Sequence, residues 1–411
     1  MKKIIIAFML IILLFLTACS GTKIPQKEHD MFSDADIGTG INRFAFDMLR
    51  LLSRGDLKNT FYSPLSISSA LAMTYAGAAG TTAKEMQKTL YFGPQHPDFH
   101  EKYGKLTERL QSSDNSEFTM HIANAVWVQE DYRLRKDYMK IVHDHYKSKS
   151  EEMDFISAPD VSRNIINQWV SDATNDRIRD LIPPGVIDAF TRLILTNAVY
   201  FNAEWQQAFN PEMTQKDDFY PLIGEAFKTD MMYKRHHFHH SGTDAYQILE
   251  IDYKGNAQQM LVVLPREKDG LPDLIDHLGK DLIERHDKNK TYEDIILYFP
   301  KFRLETDYEL NTYLRMMGMR QAFGQQADFS GMTGNRDLMI SNVIHKAFIE
   351  VDEFKTEAAA ATAVVMRLTA MPPAPRAPLE FRADHPFLFL IRDKQSGTIL
   401  FIGYVTDPEV S

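Results

Sequence analysis

At 411 residues, 44% of them hydrophobic and 25% charged, the chain has apolar material for a large core and too mixed a charge to stay disordered. Asp+Glu 56 exceed Lys+Arg 46, giving a formal net charge of -10, which argues against phosphate-backbone binding and sets nucleic acid aside as a partner. A single cysteine, Cys19, excludes internal disulfides, thiol redox chemistry and papain-like catalysis from the folded part.

The chain opens with Lys2-Lys3 and an apolar run from Ile4 to Leu16, too short to cross a bilayer comfortably but fitting the apolar region of an export signal. Leu16-Thr17-Ala18-Cys19 then resembles a bacterial lipobox. That resemblance implies removal of residues 1–18, lipid attachment at Cys19, and anchoring to a bacterial membrane, at the outer membrane or cell surface. The alternative is an ordinary signal peptide with an incidental cysteine. Residues 19–37, polar and without periodicity, read as a flexible tether.

Apolar residues at Ile41, Phe44, Ala45, Met48, Leu49 and Leu52 recur at helical spacing and mark the start of the domain. Ser63-Pro64 opens a second helix, with Ser63 as N-cap and Pro64 at the first helical position, followed by a small-residue run reaching Gly80. A third helix is predicted over Ala83 to Leu90. Ile122 to Val128 and Leu193 to Phe201 read as strands buried on both faces, with a helix around Val161 to Asp176 between them. Ala257 to Leu264 and Ile295 to Phe302 are further strands, Asp307 to Met317 returns to helical spacing, and Pro386 to Ile391 with Leu400 to Val405 forms an apolar pair around Ser396-Gly397. No repeat or linker divides the chain, so one mixed α+β domain is expected over residues 38–411, without a cofactor.

Several stretches carry a common resemblance. They are Asn59-Thr60-Phe61-Tyr62-Ser63-Pro64-Leu65-Ser66-Ile67; Leu195-Thr196-Asn197-Ala198-Val199-Tyr200-Phe201 with Trp205; Ala327-Asp328-Phe329-Ser330-Gly331-Met332; Val351-Asp352-Glu353 with the Ala-rich run after it; and Phe381-Arg382-Ala383-Asp384-His385-Pro386-Phe387-Leu388-Phe389. In order and spacing they resemble the serpin family over nearly the whole mature chain. The resemblance implies three β-sheets, one of them large and central, about eight or nine helices, and an exposed reactive-centre loop at about 354–378. It also implies a monomer that is not an enzyme, forms a covalent complex with target proteases and meets a membrane only through the lipid on Cys19.

By position, Ser63, Ser66, Asn197 and His345 match the family's shutter, polar groups beneath the main sheet whose hydrogen bonds hold two strands while leaving them separable. Taken singly, each reads equally as a cap or a satisfied core residue. Lys301, Glu353 and Trp205 match the breach, where the loop enters the sheet; an ordinary surface ion pair beside an aromatic is the plainer reading.

Thr356-Glu357-Ala358-Ala359-Ala360-Ala361-Thr362-Ala363-Val364-Val365 has the composition of a helix by propensity alone, but after Val351-Asp352-Glu353 it matches the serpin hinge. A segment that must slide between two packed strands needs side chains small enough to pass and to fit once buried. Alternation places Thr356, Ala358, Ala360, Thr362 and Val364 inward and leaves Glu357 on the outward set, so the one charge avoids burial. The resemblance puts the scissile bond at Thr369-Ala370, a small β-branched bait suited to elastase-like pockets. Leu368 would suit chymotrypsin-like and Arg367 trypsin-like enzymes. Lys355 stands where the family commonly has Gly, and Arg382 where Asn is frequent.

A hydrolase is disfavoured, since no nucleophile-elbow or zinc-protease motif occurs. A non-inhibitory serpin acting as a binding or chaperone-like module is the alternative; such members tend to carry bulky, charged or Pro residues in the hinge, and Ala358 to Ala361 are none of these. His236-His237-Phe238-His239-His240 in a strand would split its imidazoles between two faces, so no metal site is assigned there.

Overall fold

The computed structural model describes residues 34–93, 96–111, 118–279, 281–354 and 377–410, which fall within one compact unit. The lipobox with Cys19, Lys355, the hinge residues 356–365 and the bait residues Arg367 to Ala370 lie outside the described residues. In chain order the strands are β1 (Thr60–Tyr62), β2 (Phe118–Gln129), β3 (Lys149–Met153), β4 (Leu193–Ala203), β5 (Gln215–Phe219), β6 (Phe227–Gly242) and β7 (Tyr246–Asp252). They continue with β8 (Gln258–Pro265), β9 (Thr291–Pro300), β10 (Phe302–Glu309), β11 (Asn342–Val351), β12 (Leu379–Arg382), β13 (Phe387–Asp393) and β14 (Ile399–Val405).

Five strands form one sheet in the order β10-β11-β4-β2-β3, and nine form the other. The second and third sheets expected from sequence are here one hydrogen-bonded network, because β6 pairs with both β7 and β9 along its 16 residues. Ten α-helices occur among the described residues.

The helix Pro64–Tyr75 is buried along its whole length, and its sequence shows why it can be. Ser63 caps it by accepting from the Ser66 amide at 3.1 Å, Pro64 fits a position that needs no amide hydrogen, and Ala and Ser side chains let β2, β4 and β14 approach from outside. It lies behind the five-stranded sheet. In front of that sheet sits the helix Pro159–Ala173, whose Ile166 and Val170 share an apolar cluster with Ala123, Trp127, Ile194, Ala198 and Ile344. The alternation of β4 and β11 thus sends Asn197 and His345 backward and Ala198 and Ile344 forward.

Several boundaries differ from the sequence reading, among them the helix expected to reach Asp176, which ends at Ala173 because Asn175 and Asp176 take positive φ. The first helix starts at Asp34, so the expected tether loses its last four residues to a helix that continues to Leu52. Asp307 to Glu309, expected as helix, extends β10, because pairing with β11 from Phe302↔Val351 to Glu309↔Ile344 outweighs local spacing; the helix itself is Asn311–Met317. The single strand expected over Ile295 to Phe302 breaks at Lys301, where the chain passes from one sheet to the other as β9 ends and β10 begins. The C-terminal pair matches expectation: β13 and β14 are antiparallel, with Gly397 at φ 68 in the turn where a side chain would be strained.

Candidate functional site: the seam between β4 and β11

β4 and β11 are direct neighbours and run parallel, from Asn342↔Ile194 to Phe348↔Tyr200, although each is antiparallel to its other partner. The register ends at Phe348↔Tyr200, while the strands continue to Val351 and Ala203. The seam is therefore laced over most of its length and ends before the strands do. This upper end lies beside Glu353, just where the hinge sequence begins.

Behind the seam, the four predicted shutter residues meet. The Ser63 amide donates to His345 Nε2 at 3.3 Å, and the Ser63 hydroxyl donates to the Leu400 carbonyl at 2.7 Å. Because an amide can only donate, Nε2 must accept, so the ring proton sits on Nδ1 and faces Asn197 Oδ1. The Asn197 amide nitrogen in turn reaches Ser66 Oγ and Asn124 Oδ1, and Asn124 Nδ2 donates to the Ser66 carbonyl at 3.2 Å. His345 is wholly buried, and that burial lowers its pKa to about 3. The uncharged ring is the form the network needs, since a proton on Nε2 would oppose the Ser63 N–H.

Asn124 was not singled out from sequence. Its signal was present, a polar residue inside the apolar run Ile122 to Val128, now only 4% exposed on β2. It completes a polar chain that crosses from helix Pro64–Tyr75 through β2 and β4 to β11, with every side chain partnered.

The breach residues also converge. Lys301 Nζ lies 2.9 Å from Glu353 Oε2, and Thr214 donates to Glu353 Oε1 at 2.7 Å. Burial opposes the charge on both partners, yet their contact prevails: the Glu353 carboxyl is held below its usual range and Lys301 above its own. Trp205 Nε1 donates to the Asp352 carbonyl at 2.9 Å and stacks on Tyr253 at 4.7 Å. The Phe209 amide donates to the Glu353 carbonyl at 2.9 Å. The chain just after β11 is thereby pinned by four separate contacts immediately before the predicted hinge. Thr214 carried no sequence signal, since it follows a single turn of 3-10 helix at Pro211–Met213 in irregular chain.

On the downstream side of the loop, β12 pairs parallel with β9, and Arg382 sits 3.5 Å over the Tyr298 ring while bridging Asp217 and Glu380. This departure from the family pattern anchors the strand on which the loop returns. The histidine run does split: His237 and His239 flank Tyr292 at 5.5 and 5.1 Å, and His236 contacts Phe238. Among the described residues, the group in which three candidate metal ligands converge is Glu250, His286 and Asp287, whose carboxylates are already bound by Arg392 and Lys290.

A family profile described as Serpin (serine protease inhibitor) matches residues 39–408. An uncharacterized serpin-like protein of Methanosarcina acetivorans is 40% identical, with 100% of this chain and 99% of that protein covered. A leukocyte elastase inhibitor of Xenopus laevis is 34% identical over 91% of this chain and 100% of its own length. Among solved structures, uncleaved ovalbumin superposes with a TM-score of 0.82 at 30% identity, covering 91% of this chain and 100% of that one.

Proposed function

The chain belongs to the serpin family, and we propose that it is a suicide-substrate inhibitor of serine proteases, elastase-like enzymes first. A target protease cleaves the bait after Thr369, its own serine becoming esterified to the Thr369 carbonyl as the Ala370 amine leaves. The freed segment from Glu353 onward then enters the seam as a new strand and carries the acylated protease with it, which distorts the enzyme before water completes deacylation. Cleavage after Leu368 or Arg367 would extend the range to chymotrypsin- and trypsin-like enzymes, and papain-like cysteine proteases can be acylated by the same loop.

The observation that carries this reading is the seam itself. Two parallel strands are held together by side-chain devices on their rear face, end their register beside Glu353, and are followed in sequence by residues small enough to slip between them. The inhibitor supplies no catalytic group, because Ser63, Ser66 and His345 are committed to one another and to the backbone. The similarity to a protein named leukocyte elastase inhibitor fits the small bait at Thr369. The protein is further proposed to act as a monomer, exported and tethered through a lipid on Cys19; among the described residues no helix is long and apolar enough to cross a membrane.

Mixing the protein with pancreatic elastase and resolving the products on a denaturing gel tests the proposal. A band at the summed mass of the two proteins, with Thr369-Ala370 as the cut found by mass spectrometry, is expected. Accumulation of nicked protein alone would overturn inhibition and favour the non-inhibitory binding or chaperone-like reading.

A further inference from the structure

The rear face of the seam is polar, but its front face carries a different device at the last registered pair. Tyr200 of β4 and Phe348 of β11 are paired across the seam with ring centroids 5.7 Å apart, and both are almost fully buried. The row continues sideways in both directions. On the β2 side, His121 stacks parallel to Tyr200 at 6.3 Å, with interplanar angle 8°. On the β10 side, the Arg303 guanidinium lies 4.8 Å over the Phe348 ring.

The chain just after helix Pro159–Ala173 closes over this row. Asn175 and Asp176, at φ 50 and 59, turn the backbone so that Arg177 sits 5.5 Å over the Tyr200 ring and Asn175 Nδ2 meets His121 Nε2 at 3.0 Å. Six side chains from β2, β4, β10, β11 and this turn thus make one rung across four strands, at the point where the seam's register ends. Burial raises the Tyr200 pKa, with the Arg177 charge acting against that rise, so the phenol stays neutral and its ring face is offered to a cation.

We infer that this rung is the latch of the seam, and that Tyr200, Phe348 and Arg177 are positioning residues setting how fast a strand enters between β4 and β11. The inference rests on the proposed insertion mechanism. An incoming strand must separate Tyr200 from Phe348 by a further strand spacing of about 4.8 Å, which breaks their contact. From Thr356 to Val365 the segment that would enter contains only Thr, Glu, Ala and Val, so no ring within that stretch can replace it. The contact therefore exists before insertion and not after it, and its loss falls on the barrier.

Aromatic pairs and cation contacts of this kind slow opening by about two- to tenfold when expressed as a rate. The test follows uptake of a synthetic peptide copying residues 356–367, by native gel and by tryptophan fluorescence, in the intact protein and in Phe348→Ala, Arg177→Gln and Tyr200→Phe. Phe348→Ala and Arg177→Gln are expected to take up the peptide about two- to tenfold faster, while Tyr200→Phe, which keeps the ring, stays near the unmodified rate. Should Phe348→Ala fail to fold, Phe348→Leu and Arg177→Gln give the same comparison. Equal rates in every folded variant would overturn the latch while leaving insertion intact. No uptake by the unmodified protein would overturn the proposed insertion itself, and the latch with it.

Discussion

The seam between β4 and β11 and the pairing of β13 with β8 and β14 are both central β structure, but they are built in opposite ways. β13 and β14 are buried at every residue, antiparallel to their neighbours, and filled by rings: Phe389 stacks against Phe61 at 5.8 Å and packs at a tilt against Phe302 at 5.4 Å. The seam is parallel and is closed by discrete contacts, a polar chain behind and an aromatic rung in front. Continuous apolar packing resists separation everywhere at once, whereas discrete contacts can be released one after another. On the proposed mechanism one region stays shut and the other opens.

The sharpest way to break this contrast is Phe389→Ala. Removing a fully buried ring is expected to lower stability by about 3–5 kcal/mol, and by the same amount in intact and loop-cleaved protein, measured by denaturant unfolding. A much smaller loss in the cleaved form would show that this region also rearranges, and the distinction between the two would fall.

The polar side of the seam is tested by acid. His345 is neutral in the fold with its pKa lowered to about 3, and takes a proton near 6.5 once unfolded. Between these values the unfolded chain binds the extra proton, so stability falls as pH drops below 6.5, by about 2 kcal/mol on reaching pH 5. In His345→Gln this increment should vanish from the difference between unfolding at pH 7 and pH 5. An identical pH dependence in both proteins would mean that the shutter does not exclude the charged ring.

The smallest effect is expected at the breach, where Lys301 is partly exposed. Lys301→Met should cost about 1 kcal/mol or less. Because the pair is screened by water on one side, the difference should shrink further in 1 M salt, where the screening length is about 3 Å. A loss that salt leaves untouched would point to packing of the lysine stem, not to its charge.

Most of the site was legible because it is written in residue types whose positions are constrained. Ser63 before Pro64, Asn197 within an apolar run and Glu353 before the Ala-rich stretch each place a polar group where burial or a cap demands one. The proposed latch was not legible. Tyr200 reads only as one more residue of the buried run Leu193 to Phe201, and nothing in the local sequence marks Phe348 or Arg177; only the parallel register brings Tyr200 and Phe348 together, and only the turn at Asn175 and Asp176 brings Arg177 over them. The extension of β10 through Asp307 was hidden for a related reason, since its partner β11 lies tens of residues away and local spacing favoured a helix.

The direction of the seam has a consequence for reuse. A segment that turns back from the end of β11 would run opposite to both β11 and β4, so one parallel ladder would be exchanged for two antiparallel ones, the slightly stronger arrangement per residue. Reversal would require both new ladders to unzip in order to restore the weaker one. On the proposed mechanism each copy of the protein would then be spent by a single encounter, and its capacity would scale with the number of molecules made.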